Sequence, residues 1–300
     1  MNKKNYSLQA QLLISVLPYI AEEKIFALKG GTAINFFVRN FPRVSVDIDL
    51  TYTGFEGRQE AFSNINNALN RIVKKLKSDK FGVNIERNKS DMWKVQCFKQ
   101  NAEIVIEVNY IVRGIVYPMQ ELQVCQKVSD LYGFAEMQVI SNAELYGGKI
   151  CAALDRQHPR DLFDIKILFE NEGITDEIKN GFIVCMLSDN GAPYELLNPN
   201  IHNRQELLNS EFSGMTEIEF KYQDHEETLR KLIRTLHKSF TKADKEFILS
   251  FFSLQPKWNL IDISNLYKLP AVQWKIKNLE KMSKDKFEEN LRKIKEALNV

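Results

Sequence analysis

The sequence predicts an α+β chain of two lobes, and three observations predict it. A short apolar run, Ile25 to Leu28, is followed by Gly30-Gly31, a helical pattern and an alternating run, the order of a strand–turn–helix–strand unit. Strand-like alternation recurs between Gly82 and Val112. From Ser141 to Val300 the patterns are helical almost throughout. This change places a boundary near residue 140, between an α/β domain (1–140) and an all-helical domain (141–300).

The bounds are those of an ordinary globular protein. At 300 residues one large or two ordinary domains can bury a sizeable core, and 44% apolar with 27% charged residues is typical of such chains. The net charge of +2 permits a nucleic-acid partner without demanding one. Cys97, Cys125, Cys151 and Cys185 form no CxxC pair, and His158, His202, His225 and His237 are equally scattered. Zinc spacing and a disulfide framework are both missing, so a reducing cytoplasm is the expected location.

The basic start and the apolar run Leu12 to Ile20 imitate a signal peptide. Gln9 and Gln11 interrupt it, Pro18 sits inside it, and Glu22-Glu23 stand where a small-residue cleavage site belongs. An amphipathic first helix is the better reading. No segment is apolar for long enough to span a membrane.

The stretch from Phe26 to Leu50 carries the chemistry. After the glycines, Ala33, Ile34, Phe36, Phe37 and Val38 form the buried face of a helix that Pro42 ends. A strand then places Arg43, Ser45, Asp47 and Asp49 on one side, with Val44, Val46, Ile48 and Leu50 on the other. Two carboxylates at i and i+2 repel unless something positive sits between them, and a divalent cation is the natural answer. Oxygen ligands favour Mg²⁺, with Mn²⁺ as the alternative. The glycines allow close backbone approach, and the helix they open offers free N–H groups, with the Thr32 hydroxyl, to a phosphate. Either feature alone reads as a turn or a solvated strand end; in this order they point to a site.

Lys29-Gly30-Gly31-Thr32 followed by Arg43-x-Ser45-x-Asp47-x-Asp49 resembles the AbiEii/AbiGii toxin family of nucleotidyltransferases, toxin halves of type IV toxin–antitoxin and phage-exclusion systems. The resemblance implies a polymerase-β-like nucleotidyltransferase lobe with a mixed sheet over 1–140, and a helical domain over 141–300 that completes the active-site cleft.

Downstream, Tyr52 to Gly57 reads as a loop and Arg58 to Lys80 as a long helix with apolar Phe62, Ile65, Leu69, Ile72, Val73 and Leu76. Strand-like runs follow at Gly82–Arg87, Met92–Phe98 and Ala102–Val112, the last two joined by a turn at Gln100-Asn101. In the third run Glu103, Val105, Glu107 and Asn109 share one face. The superfamily resemblance makes Glu107 a candidate third metal carboxylate; alternation alone makes it a solvent-facing residue. Leu122 to Val128 looks like one more strand.

Ser141 with Glu144 is a capping-box pattern opening the helix of ELYGGKICAALDRQHPRDLFDI, in which Lys149, Ala153 and Arg156 share a face and His158-Pro159 is a break. This resembles the family's downstream motifs: a helix lysine, an arginine and an R-D-x-x-D segment. By that resemblance Lys149 supplies positive charge to the nucleotide phosphates, while Asp161 or Asp164 orients Lys149 or Arg156. Read alone, the segment is a solvated face with an ordinary Arg160–Asp164 pair.

Helical stretches fit 175–187, 194–197, 204–212, 225–240, 241–252, 262–266, 271–282 and 283–298. The lysines of the last two are interspersed with acids, which reads as a solvated face with an RNA-binding patch as the alternative, and Trp258 and Trp274 read as packing residues rather than base-stacking platforms.

The expected function is transfer of a nucleoside monophosphate from an NTP, with Mg²⁺ at Asp47 and Asp49, and with Glu107 activating the acceptor if it reaches that site. Gly30, Gly31, Thr32, Arg43, Ser45, Lys149 and Arg156 hold the nucleotide, Ser45 and Lys149 meeting the departing pyrophosphate. The resemblance implies the tRNA 3′ end as acceptor, arrest of translation, and a cognate antitoxin encoded nearby. Nucleotidylation of a protein hydroxyl or of a small molecule such as an aminoglycoside, and a non-catalytic binding module of the same fold, are the alternatives.

Overall fold

The computed structural model describes residues 3–87 and 93–300; Met92, the first residue of one expected strand, lies outside them. Contacts divide the chain into two compact units, residues 1–141 with 210–219, and residues 142–209 with 220–300. Residues 210–219 fall in the stretch that the sequence assigns to the helical domain, yet they pack with the first unit.

The first unit is built on a seven-stranded mixed sheet of order β3-β4-β5-β2-β1-β7-β6. The strands are β1 (Phe26–Lys29), β2 (Asp47–Tyr52), β3 (Gly82–Arg87), β4 (Trp93–Lys99), β5 (Ala102–Asn109), β6 (Gln120–Gln123) and β7 (Glu136–Val139). β2 pairs parallel with β5 and β1 parallel with β7; the other pairs are antiparallel. Alternation decides which face is covered. Ile104, Ile106 and Val108 of β5 are buried with Ile48 and Leu50 of β2, while Val105, Glu107 and Asn109 on the other face are only partly covered. Helix α1 (Lys3–Ala21) lies against β5 and β7 and alongside α3 (Arg58–Ser78), which contacts β3. Ala10, Leu13, Val16, Leu17 and Ile20 of α1 and Ile65, Leu69, Ile72 and Leu76 of α3 are buried at the helical spacing of an amphipathic stripe.

Gln100 and Asn101, both at positive φ (50° and 65°), make the tight turn between β4 and β5. Mirror-image turns of this kind match the right-handed twist of the strands they join.

Three elements differ from the pattern-based expectation. β2 begins at Asp47 rather than Arg43: the Val44 amide donates to the Met215 carbonyl (2.7 Å), outside the sheet. The run Leu122–Val128 is not one strand. β6 ends at Gln123, and Gln126–Tyr132 is a helix, α4, while β7 replaces it as the partner of both β6 and β1. An apolar run of this length fits strand or helix equally, and pairing decided it. The helix after the glycines is a turn, α2 (Gly30–Thr32), continuing as a π-helix over Ala33–Val38.

The second unit holds only helices among its described residues. The principal ones are α5 (Asn142–Asp155), α6 (Pro159–Glu170), α7 (Asp176–Ser188), α8 (Pro193–Leu197), α9 (Gln205–Leu207), α10 (Tyr222–Ser239), α11 (Lys242–Phe252), α12 (Pro270–Glu280) and α13 (Lys284–Leu298). α5 and α7 meet backbone to backbone. A Cβ on Gly147 would overlap the Gly181 main chain, and one on Gly181 would overlap the Ala143 carbonyl, so both positions need glycine. Phe163, Phe182, Phe247, Phe251 and Phe252 fill the core. Inside it Lys179 pairs with Asp244 (2.9 Å), linking α7 to α11.

The expected helix over 262–266 is absent; 3₁₀ turns at Trp258–Leu260 and Leu266–Lys268 flank that stretch. Trp258 does pack, against Phe247, Phe251 and Tyr267, whereas Trp274 is exposed. On α13 Arg292 pairs with Glu289 and Glu296, as on a solvated face, whereas Lys275 of α12 does not fit that reading. That lysine is buried and donates to the carbonyls of Asp189 (2.9 Å) and Gly191 (2.6 Å).

Candidate active site

The sequence-predicted residues fall into two groups, one in each unit. In the first, the register across adjacent strands sets the layout: Lys29 of β1 faces Asp49 of β2, Asp49 faces Glu107 of β5, and Glu107 faces Lys94 of β4. Directly paired residues point to the same side of a sheet, so these four form a row on the face opposite α1 and α3, two neighbouring carboxylates flanked by a lysine at each end. Asp47, two residues from Asp49, belongs to that face as well.

The glycines are shaped to these side chains. Gly30 has φ +73°, the left-handed region, and a Cβ there would overlap the Asp49 carboxylate. A Cβ on Gly31 would come within 2.8 Å of Arg43 Nη2 and 3.0 Å of Ser45 Oγ. The structure therefore brings Gly30, Gly31, Arg43, Ser45 and Asp49 together.

Arg43 and Ser45 reach this position without the expected strand. Both are buried, and Arg43 donates to the Val44 carbonyl (2.9 Å). Their stretch is held by residues 210–219, through the Val44–Met215 bond and the Thr216 hydroxyl donating to the Pro42 carbonyl (2.7 Å). Val44 and Val46, expected inside, are only partly covered.

Thr32 differs from its expected role. It is fully buried, and its hydroxyl donates to the Asp47 carbonyl (2.5 Å), so it ties the glycine turn to the aspartate strand instead of facing a phosphate. The Asn35 amide donates to the Gly31 carbonyl (2.9 Å), fixing the turn from below.

Glu107, the candidate third carboxylate, sits beside Asp49 across the sheet and pairs with Lys94. Lys94 Nζ lies 3.0 Å from its carboxylate, and among the described residues no three of His, Cys, Asp and Glu are gathered closely enough to hold a metal ion. The hydrogen bond that Lys94 donates to the Glu107 carboxylate raises the Lys94 ammonium pKa above its ordinary value; partial burial opposes this, and the charges of Glu107 and Asp47 add to it. Lys94 was legible in principle. Counting outward from the two-residue turn at Gln100-Asn101 puts it opposite Glu107. Met215 and Thr216 had no local signal at all.

In the second unit Lys149 and Arg156 converge on one aspartate. Lys149 Nζ lies 2.8 Å from Asp161 Oδ1 and 3.1 Å from Asp164 Oδ2. Arg156 donates from Nε to Asp161 Oδ2 (2.6 Å) and from Nη2 to Asp161 Oδ1 (3.1 Å), the fork geometry of a bidentate pair. Lys149 is 7% exposed, Asp161 and Asp164 1% each, so this lysine is not part of a solvated face. Burial alone would push the Asp161 carboxyl up, but the Lys149 and Arg156 charges outweigh it and hold it well below the usual carboxylate range. The break at His158-Pro159 builds this arrangement: the His158 imidazole accepts from the Arg160 amide (3.1 Å), Pro159 takes the first helical position, and α6 presents Asp161 and Asp164 to α5.

Chemically, the first group offers two carboxylates beside a glycine turn with a guanidinium and a hydroxyl. The second offers a lysine held rigidly by buried acids. Among the described residues no helix is long and apolar enough to cross a membrane.

Comparison with known proteins follows the same lines. No curated protein matches significantly in sequence. Among solved structures, MenT4, a nucleotidyltransferase toxin from Mycobacterium tuberculosis H37Rv, is similar in fold, with a TM-score of 0.57 at 14% identity over 82% of this chain and 88% of that one. The family model described as nucleotidyl transferase AbiEii toxin, type IV toxin–antitoxin system, matches residues 11–278, taking in the glycine turn, both aspartates and the Lys149–Asp164 segment. The chain belongs to the AbiEii nucleotidyltransferase toxin family of type IV toxin–antitoxin systems.

Proposed function

We propose that the chain transfers a nucleoside monophosphate from an NTP to an RNA acceptor, the tRNA 3′ end, releasing pyrophosphate and so blocking translation and growth, as a phage-defence toxin. The observation that carries the site assignment is the packing of Asp49 against Gly30 on the polar face of the sheet. It sets a carboxylate beside a left-handed glycine at a helix start, where a triphosphate finds unpaired N–H groups.

Asp47 and Asp49 fit a Mg²⁺ ion, which takes one or two carboxylates and completes its shell with waters and phosphate oxygens; Mn²⁺ is the alternative. When bound there, the metal would neutralise charge building on the transferring phosphoryl group. Glu107 neighbours Asp49 and is paired with Lys94. Gly30 and Gly31 receive the phosphates, with Arg43 and Ser45 at their edge. Lys149 supplies charge to the departing pyrophosphate. Asp161 and Asp164 keep its ammonium in place, and Asp161 holds Arg156 in its fork. The antitoxin encoded with such a toxin restrains this activity, and the cytoplasm is where NTP and tRNA meet it.

Incubation with each labelled NTP, total tRNA, total protein and an aminoglycoside, followed by sequencing of tRNA 3′ ends, tests the assignment. Label on tRNA 3′ ends is expected. Label on protein, on an aminoglycoside or on nothing would defeat it. Asp49→Ala should abolish both labelling and growth inhibition, and a fully toxic variant would remove the catalytic role of that aspartate.

A further inference from the structure

The second unit contains a groove of about 740 Å³ made by α11, α13 and the loop after α11, none of whose lining residues belongs to the site described above. Its walls carry Lys242, Lys245, Lys257 and Lys295, with Glu246 as the one acid. Glu246 is already spoken for: Lys257 Nζ lies 2.6 Å from it and draws its carboxyl pKa down. Lys245 is anchored to the Leu298 carbonyl (2.7 Å). The side chains of Lys242 and Lys295 make no hydrogen bond or ion pair among the described residues. Phe240 and Leu249 add apolar surface. A chain with a net charge of only +2 thus concentrates unbalanced positive charge in one concave place.

We propose that this groove binds phosphates of the RNA acceptor, a second contact for the polynucleotide away from the reacting end. The inference rests on the RNA-acceptor reading above. Lysines act on phosphates as point charges and need no fixed fork, so a groove with lysines on several elements tracks a backbone without reading its sequence. A free nucleoside triphosphate carries the same phosphate chemistry and is the competing source.

The test compares the full chain with Lys242→Glu/Lys295→Glu and the neutral Lys242→Gln/Lys295→Gln. RNA binding is followed by anisotropy of a fluorescent tRNA at two salt concentrations, and binding of a fluorescent NTP analogue in parallel. Both substituted lysines are exposed, so an unchanged melting profile is expected. The Glu variant should lose roughly tenfold or more in tRNA affinity, with a shallower salt dependence, because each lost phosphate contact removes about 0.7–0.9 from the slope. The Gln variant should fall between, and NTP binding should not change. In the labelling assay KM for the acceptor should rise at unchanged kcat. Unchanged tRNA affinity and salt slope in the Glu variant would overturn the inference, as would loss of NTP binding instead of RNA binding. The two readings fail separately: a wild-type chain that labels no RNA sinks the acceptor assignment, whereas one that labels RNA while both variants bind it normally sinks only the groove.

Discussion

The carboxylate of Asp49 occupies the space that a side chain on Gly30 would need. Glycine turn and aspartate strand are thus one object, and the backbone conformation of Gly30 (φ +73°) belongs to the same fit.

Gly30→Ala combines both penalties. A left-handed residue with a Cβ costs about 1–2 kcal/mol, and the displaced carboxylate should lower nucleotidyl transfer by about 10²-fold. A melting curve and the initial rate of NTP labelling read the two separately. A variant with a lowered Tm and full activity would show that the carboxylate position does not matter.

Thr32→Val keeps the shape of a buried side chain and deletes its bond to the Asp47 carbonyl. The expected cost is about 1 kcal/mol, with a fall in kcat because Asp47 loses its tether to the turn, while Thr32→Ser keeps both. Equal kcat for all three proteins would leave Thr32 as filler.

Asp161→Asn strands the Lys149 charge against Asp164 alone and removes the Arg156 fork. Breaking a buried pair costs about 3–5 kcal/mol, and denaturant midpoints will show it. The same residue sets an acid dependence. Its folded pKa lies below the unfolded value near 3.9, so its contribution is full above that value and is lost as pH falls through the folded pKa. The wild-type urea midpoint should drop as pH is lowered from about 5 towards 3, and Asp161→Asn should lose less over that interval. Parallel pH profiles would contradict it.

Gly181→Ala drives a methyl into the Ala143 carbonyl and forces α5 away from α7. Overpacking of this kind costs about 1–3 kcal/mol, more where backbone must move, whereas Gly148→Ala, with open space around it, should be tolerated or stabilising. Melting temperatures of the two variants in the same buffer decide the matter.

Much of this was legible in the chain. Alternation in Asp47–Leu50 and Ala102–Asn109 sorted the faces of β2 and β5 correctly, because a period of two survives whatever the strand pairs with. The helical second unit was visible from periodicity, and the positive-φ turn at Gln100-Asn101 from residue type and position. Short apolar runs were not decided by pattern: Leu122–Val128 divides between strand and helix, and β7 was missed because four residues carry too little periodicity.

By itself the sequence determined the family and the candidate residues, since a glycine pair, two aspartates at a spacing of two and a helix lysine followed by R-D-x-x-D are local patterns along the chain. Only the tertiary structure decided what those residues touch. Thr32 turned to the Asp47 carbonyl, Glu107 to Lys94, and Lys149 to a buried pair of acids, while Arg43 and Ser45 came to the glycine turn through a segment about 170 residues away. The reason is physical: hydrogen bonds and ion pairs form between groups that packing brings together, and contacts distant in the chain leave no periodicity to read.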